Sequence, residues 1–98
     1  MRKIVYFAAA KKDVRSIVEY IETNNRAAAR KLASDIVKAV TKLAVAPNIG
    51  HRRAEFENTA FWSYRVGSYI VVYRYDDANL YVVRVVHGHR DFKKLFRP

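Results

Sequence analysis

The sequence predicts an α+β domain of order β-α-α-β-β-β, a helical hairpin packed on a small antiparallel sheet and followed by a short C-terminal helix or tail. Three observations predict it. Apolar residues recur at helical spacing through two neighbouring segments of the N-terminal half. Three runs of β-branched and aromatic residues, separated by tight-turn sequences, fill the C-terminal half. The 98 residues contain no long Pro-, Gly- or Ser-rich linker, so residues 1–98 are expected to form a single domain around one modest core.

The first run, Arg2 to Phe7, mixes β-branched and aromatic residues and reads as a strand. From Asp13 the period changes: Val14, Ile17, Val18 and Ile21 fall on one helical face, with Arg15, Glu19 and Glu22 between them. Asp13 is expected near the start of that helix, where a carboxylate meets free backbone N–H groups. Thr23-Asn24-Asn25 breaks it, and Asn25 caps a second helix from about Arg26 to Val45, with the stripe Ala29, Leu32, Ile36, Val40 and Leu43. Lys31, Lys38 and Lys42 lie together on another face. Two amphipathic helices joined by so short a turn pack as an antiparallel hairpin, whose apolar face needs a sheet to cover.

Pro47 and Gly50 end the helical region, and Asn48 to Thr59 reads as an ordered loop. Strands are then expected over Phe61 to Val66, Tyr69 to Tyr75 and Leu80 to His87. Gly67-Ser68 and Asp76-Asp77-Ala78-Asn79 form the turns of this antiparallel meander. The last strand is apolar on both faces except at Arg84, which places it centrally. The first strand must join the meander to avoid standing alone. Asp91 to Phe96 reads as a short terminal helix or tail.

Composition narrows the function. The longest apolar runs fall far below the ~20 residues that span a bilayer, and the apolar stretch after Arg2-Lys3 is too short for a signal-peptide core. No membrane association and a cytoplasmic location are therefore expected. There is no cysteine, which excludes disulfides, thiolate metal sites and cysteine nucleophiles. Nineteen Lys and Arg against nine Asp and Glu give a net charge of +10, which suits either a polyanion or an acidic protein partner.

Enzyme motifs are missing: no Gly-rich phosphate loop, no His-Glu-x-x-His pair, no Ser-centred nucleophile elbow. His51, His87 and His89 have no third ligand nearby in sequence, and Asp76-Asp77 suits a turn for backbone reasons. No metal and no cofactor are expected. What remains is a basic and aromatic constellation: Arg52, Arg53, Arg65, Arg74, Arg84, His89, Arg90, Lys93, Lys94 and Arg97, interleaved with Trp62, Tyr64, Tyr69, Tyr73 and Tyr75. Such a mixture suits phosphate contact with base stacking, or capture of an acidic peptide. Single aromatics on alternating strands read first as core or cross-strand partners, whereas Arg65, Arg74 and Arg84 together read as a binding face.

Lys12-Asp13-Val14-x-x-Ile17-x-x-Tyr20-Ile21 resembles the first helix of ParE-type toxins, and Pro47-Asn48-Ile49-Gly50-His51-Arg52-Arg53 resembles their Pro-x-x-Gly-x-x-Arg loop. Val66 to Arg74 and Val83 to Asp91 are similar to paired strand signatures of the RelE/ParE superfamily. The resemblance implies the toxin of a type II toxin–antitoxin pair, neutralised by a cognate acidic antitoxin whose disordered segment wraps the hairpin and the sheet. For that contact the expected residues are Arg65, Arg74, Arg84, Lys31 and Lys38.

Two activities are implied by the superfamily: RelE-like members cut mRNA on the ribosome, and ParE-like members inhibit DNA gyrase without being nucleases. In the register of the shared strand start, RelE's catalytic lysines fall on Phe61 and Ser63, and its first catalytic arginine on Ile70. Only Arg90 matches a catalytic arginine, and Phe96 stands where RelE has a tyrosine. One arginine cannot both move protons and stabilise a phosphorane, so the expectation is gyrase inhibition rather than catalysis. The expected gyrase contacts are Arg90, Phe92, Lys93, Phe96 and Arg97, on the ground that a basic, aromatic tail lacks a core role. The alternative is a ribosome-dependent endoribonuclease acting on mRNA, with Arg90, Arg65 and Tyr64 as its catalytic groups.

Overall fold

The computed structural model describes residues 1–88 and 90–95. Strand β1 (Lys3–Tyr6) leads into helix α1 (Ala8–Glu22), then α2 (Arg26–Val45), β2 (Trp62–Val66), β3 (Tyr69–Tyr75), β4 (Asn79–His87) and a one-turn α3 (Phe92–Leu95). This is the expected order. The α1 start is a correction: the helix begins five residues before Asp13, because Ala8-Ala9-Ala10 are strong helix formers that need no capping side chain, and Phe7 at the cap provides none. Asp13 consequently lies in the helix interior, available for a tertiary partner. The start of α2 is as expected, with the Asn25 side chain accepting from the Ala28 N–H at 3.0 Å.

The sheet runs β1-β4-β3-β2. The three-stranded meander is antiparallel, but β1 joins β4 in parallel, Lys3 opposite Asn79 and Tyr6 opposite Val82, so the sheet is mixed. The helical hairpin supplies the long crossover that a parallel pair requires. β4 is central, as its two-sided apolar pattern implies. On one face Val71, Tyr73, Leu80, Val82 and Val85 pack against Ile36, Val40 and Leu43 of α2 and Ala10 of α1. On the other face Ile70, Val72 and Val86 pack against Phe56 and Phe92. Hence the sheet carries two apolar layers, the second covered by the loop after α2 and by α3.

That loop is ordered by specific bonds. The buried Tyr73 hydroxyl donates to the Pro47 carbonyl at 2.5 Å, and burial pushes its pKa well above the ordinary phenol value. The chain passes so close that a Cβ on Gly50 would stand 2.1 Å from the Tyr73 hydroxyl and 2.7 Å from the Ser63 carbonyl oxygen. Here lies the physical content of the Pro-x-x-Gly segment: a buried carbonyl to receive a phenol, and a residue without a side chain beside it. Gly50→Ala is expected to lower stability by about 1–3 kcal/mol. Adding Tyr73→Phe should recover only part of the loss, because the Ser63 carbonyl remains. Urea unfolding of the two variants checks this, and additive losses would show that the hydroxyl is not the obstacle.

At the β3–β4 turn, the Asp76 side chain accepts from the N–H groups of Ala78 at 2.9 Å and Asn79 at 2.7 Å. These two bonds lower its pKa, with smaller contributions from the Tyr81 hydroxyl and the Arg74 charge. The Asp has the turn role expected of it.

Candidate functional site

Most C-terminal arginines prove to be committed within the fold. Arg52 donates to three loop carbonyls, those of Phe61, Phe56 at 3.1 Å and Thr59 at 2.8 Å. Arg53 lies over the Phe92 ring, 4.2 Å from its centre, and meets Glu55 at 3.5 Å. Arg74 stacks 4.9 Å from the centre of Tyr81 and 5.8 Å from that of Phe7. Arg84 is half-buried, donating from Nε to Asp13 Oδ2 at 2.6 Å and from Nη2 to Oδ1 at 2.9 Å. The carboxylate's hydrogen bonds raise the pKa of this guanidinium further. Arg65, on the edge strand, donates from Nε to the Gly67 carbonyl at 3.1 Å.

The sequence therefore grouped arginines that the fold separates. Arg84 is bound to α1, Arg74 stacks beside β1, and Arg65 stands at the opposite edge of the sheet. Guanidinium groups with five donors readily satisfy local carbonyls and ring faces, and nothing in sequence spacing reveals those acceptors. Lys31 is engaged with Asp35 at 2.8 Å on the surface of α2. Lys38 belongs to a basic notch between α2 and β2, lined also by Lys42, Tyr64 and Arg65, with a volume of about 290 Å³.

Phe92 requires a second correction. It is 1 % exposed, with its ring centre 5.7 Å from that of Phe56, so it has a core role. Arg90 is exposed, its backbone N–H donating to His87 Nδ1 at 3.3 Å. It lines a cleft of about 210 Å³ with Asp13, Ser16, Tyr69, Arg84 and His87. The Lys93 side chain, His89, Phe96 and Arg97 lie outside the described residues. The RelE-register positions are occupied as follows: Phe61 is half-buried, Ser63 is 4 % exposed and Ile70 is 3 % exposed. Of the three, Phe61 and Ile70 belong to the apolar layer beneath Phe56 and Phe92.

One feature of the surface escaped the sequence reading. Tyr6, Val14, Val18, Ala33, Ile36 and Val37 form the walls of an open groove between α1 and α2, with Lys11 and Arg15 at its rim and a volume of about 530 Å³. The signal was present at Val37, which lies outside the core stripe of α2 and is 60 % exposed. Lys11, Lys12, Arg15, Arg26, Arg30 and Lys38 have no side-chain partner among the described residues, so the hairpin carries much of the uncommitted positive charge. No group of three or more His, Asp or Glu that could hold a metal ion occurs among the described residues. No described helix is long and apolar enough to cross a membrane.

Comparison with known proteins places this arrangement. The profile of the ParE toxin of type II toxin–antitoxin systems matches residues 4–92. A search of curated proteins gave no match. Among solved structures, the chromosomal ParDE system of P. aeruginosa superposes with a TM-score of 0.74 at 19% identity, covering 89% of this chain and 96% of that one. The RelBE2 complex of Mycobacterium tuberculosis gives 0.61 at 19%, covering 88% and 96%. YafQ of E. coli gives 0.58 at 15%, covering 94% and 99%. These likenesses are likenesses of fold, and they extend over nearly the whole chain.

Proposed function

The chain belongs to the ParE toxins of type II toxin–antitoxin systems, and from that premise we propose that it arrests growth by binding DNA gyrase, without catalysis, while a cognate acidic antitoxin restrains it. The observation that carries the choice of target is the state of the sheet face where RelE-type chemistry would lie. Phe61 and Ile70 are part of an apolar layer, and Ser63 is buried with its backbone bonded to His51. RNA cleavage by 2′-hydroxyl attack needs groups that move a proton and stabilise the developing charge. Packed phenylalanine and isoleucine supply neither. Tyr64 and Arg65, the other residues considered for a nuclease, line the notch beside α2, whereas Arg90 lines the cleft beside α1. This separation also favours binding over chemistry.

For the gyrase contact we propose Arg90, Lys93, Phe96 and Arg97, and assign Phe92 to the core instead. Purified protein is expected to inhibit gyrase supercoiling at micromolar concentration and to leave transcript 5′ ends unchanged on induction. Absence of inhibition, or codon-positioned cuts, would overturn the reading.

The antitoxin contact is proposed at the α1/α2 groove, where apolar walls bordered by Lys11 and Arg15 suit a partner segment with apolar residues flanked by acidic ones. Lys11→Glu combined with Arg15→Glu should weaken the complex by about tenfold or more at low salt, as read by titration calorimetry. Equal affinities for the two proteins would remove the groove from the docking surface.

A further inference from the structure

Among the described arginines of the C-terminal half, Arg90 differs from the rest. Arg52, Arg53, Arg65, Arg74 and Arg84 each meet a carbonyl, a ring or a carboxylate, whereas the Arg90 guanidinium has no partner among the described residues. Its side chain lines the cleft beside α1, and only the main chain of the turn after β4 fixes its place. A long side chain on a loose turn loses affinity through the entropy of ordering it. The bonds that hold residue 90 therefore bear on any contact it makes.

His87, the last residue of β4, holds that turn in two ways. Its carbonyl accepts from the Asp91 N–H at 3.1 Å, which closes one helical turn, and its Nδ1 accepts from the Arg90 N–H at 3.3 Å. A side-chain acceptor bonded to the N–H three residues on is the arrangement that Ser, Thr, Asp and Asn provide at the start of a helix. Here an imidazole provides it. The ring is oriented for this by its neighbour across the ladder: His87 lies opposite Tyr69, and the two rings stand edge to face, 81° apart in plane with centres separated by 5.4 Å. The other charged or titratable groups of the cleft are Asp13 on α1 and Arg84 on β4, paired with each other, and Arg90 and Asp91 on the turn itself.

We propose that His87 is the positioning residue of Arg90, a cap that a proton releases, so that acidification loosens residue 90 and weakens the contact it makes. An imidazole nitrogen accepts a hydrogen bond only when it carries no proton. Nδ1 is an acceptor in the neutral ring, whose hydrogen then sits on Nε2, and both nitrogens are donors once the ring is charged. Histidine is the side chain that ordinarily changes charge between about pH 5 and 8. The sign follows: the bond to Arg90 is present toward the upper end of that range and lost toward the lower end. Asn in the same place would hold the turn throughout it. Phe92 stays buried beyond the turn, so the release is local and the fold is retained. Only the identity of the partner, and with it the effect on binding, rests on the gyrase reading above.

The experiment follows the purified chain by amide NMR across that pH range. The Arg90 amide shift should titrate with the same midpoint as the His87 ring protons. Its protection against hydrogen exchange, corrected for the intrinsic pH dependence of exchange, should fall by about threefold or more as pH is lowered, the share of one modest hydrogen bond. His87→Asn sets an acceptor near the position of Nδ1 that does not titrate, and should keep the Arg90 protection at both ends of the range. His87→Ala should lack it at both ends, and each variant leaves His89 in place. In gyrase supercoiling assays, the potency of the wild-type chain relative to His87→Asn should fall by a similar factor on acidification. An Arg90 amide that does not follow the His87 ring overturns the proposal, as does a His87→Asn chain with the wild-type pH dependence. If a variant does not fold, the wild-type titration decides. If no protein inhibits gyrase at any pH, the gyrase reading fails, while the amide data still settle the role of His87.

Discussion

Phe92→Ala is expected to cost about 3–5 kcal/mol of stability, the range for truncating a fully buried aromatic ring. The ring is 1 % exposed and packs edge-on to Phe56, within the layer formed by Ile70, Val72 and Val86. Its other side carries the Arg53 guanidinium at 4.2 Å, so truncation both opens a cavity and leaves a cation without its aromatic surface. Urea unfolding should show a lower midpoint with an unchanged slope, and Phe92→Leu should recover much of the loss by refilling the volume. A change within about 0.5 kcal/mol, as for an ordinary surface substitution, would mean that the ring is not core. The consequence for function is direct: loss of toxicity in Phe92→Ala would report a weakened fold, so the proposed gyrase contact is tested with substitutions at Arg90.

Phe92 shows in physical terms why a core role can be illegible in a sequence. A terminal segment rich in Arg, Lys and Phe looks like a contact surface when its neighbours are unknown, and the apolar face that Phe92 covers is built from residues on three distant elements, Phe56, Ile70 and Val86. Where the determinants are local, the sequence suffices. Asn25 marks the start of α2 through a bond made three residues on, and Gly67, with a φ of 59°, sets the β2–β3 turn that fixes the hairpin register. β1 is an intermediate case: the need for a partner strand follows from its composition, but its parallel placement beside β4 depends on the route of the hairpin. Charge was the least legible quantity. Arg52, Arg53, Arg74 and Arg84 are all drawn into carbonyl, ring or carboxylate contacts, whereas the uncommitted cations stand mostly on the helices. Among the described residues the uncommitted positive charge therefore stands on the hairpin rather than on the strands, where the arginines cluster in sequence.

Asp13→Ala is expected to lower stability by about 2–3 kcal/mol, less than the ~3–5 kcal/mol of a fully buried pair, because the Arg84 side chain remains 34% exposed. Two losses combine. The bidentate bond spans 71 positions of sequence and ties α1 to β4. The same carboxylate accepts from the Val85 N–H at 3.0 Å, a donor next to the point where the β3–β4 register shifts opposite Val72 and Tyr73. β1 pairs with β4 only as far as Val82, so beyond it the Asp13 carboxylate takes the place of a strand partner for the Val85 N–H. Asp13→Asn keeps an acceptor for that N–H while dropping the charge, so it should lose less than the alanine variant. Combining Asp13→Leu with Arg84→Met should recover part of the deficit, since an apolar pair of similar volume leaves no uncompensated charge. Equal losses for Asn and Ala would show that the Val85 bond contributes nothing. The effect should also reach the groove, because α1 supplies Val14, Val18, Lys11 and Arg15 to it. Once released from β4 at Asp13, the helix is expected to exchange its amides faster than α2 and to bind the antitoxin less tightly, although Asp13 itself does not line the groove.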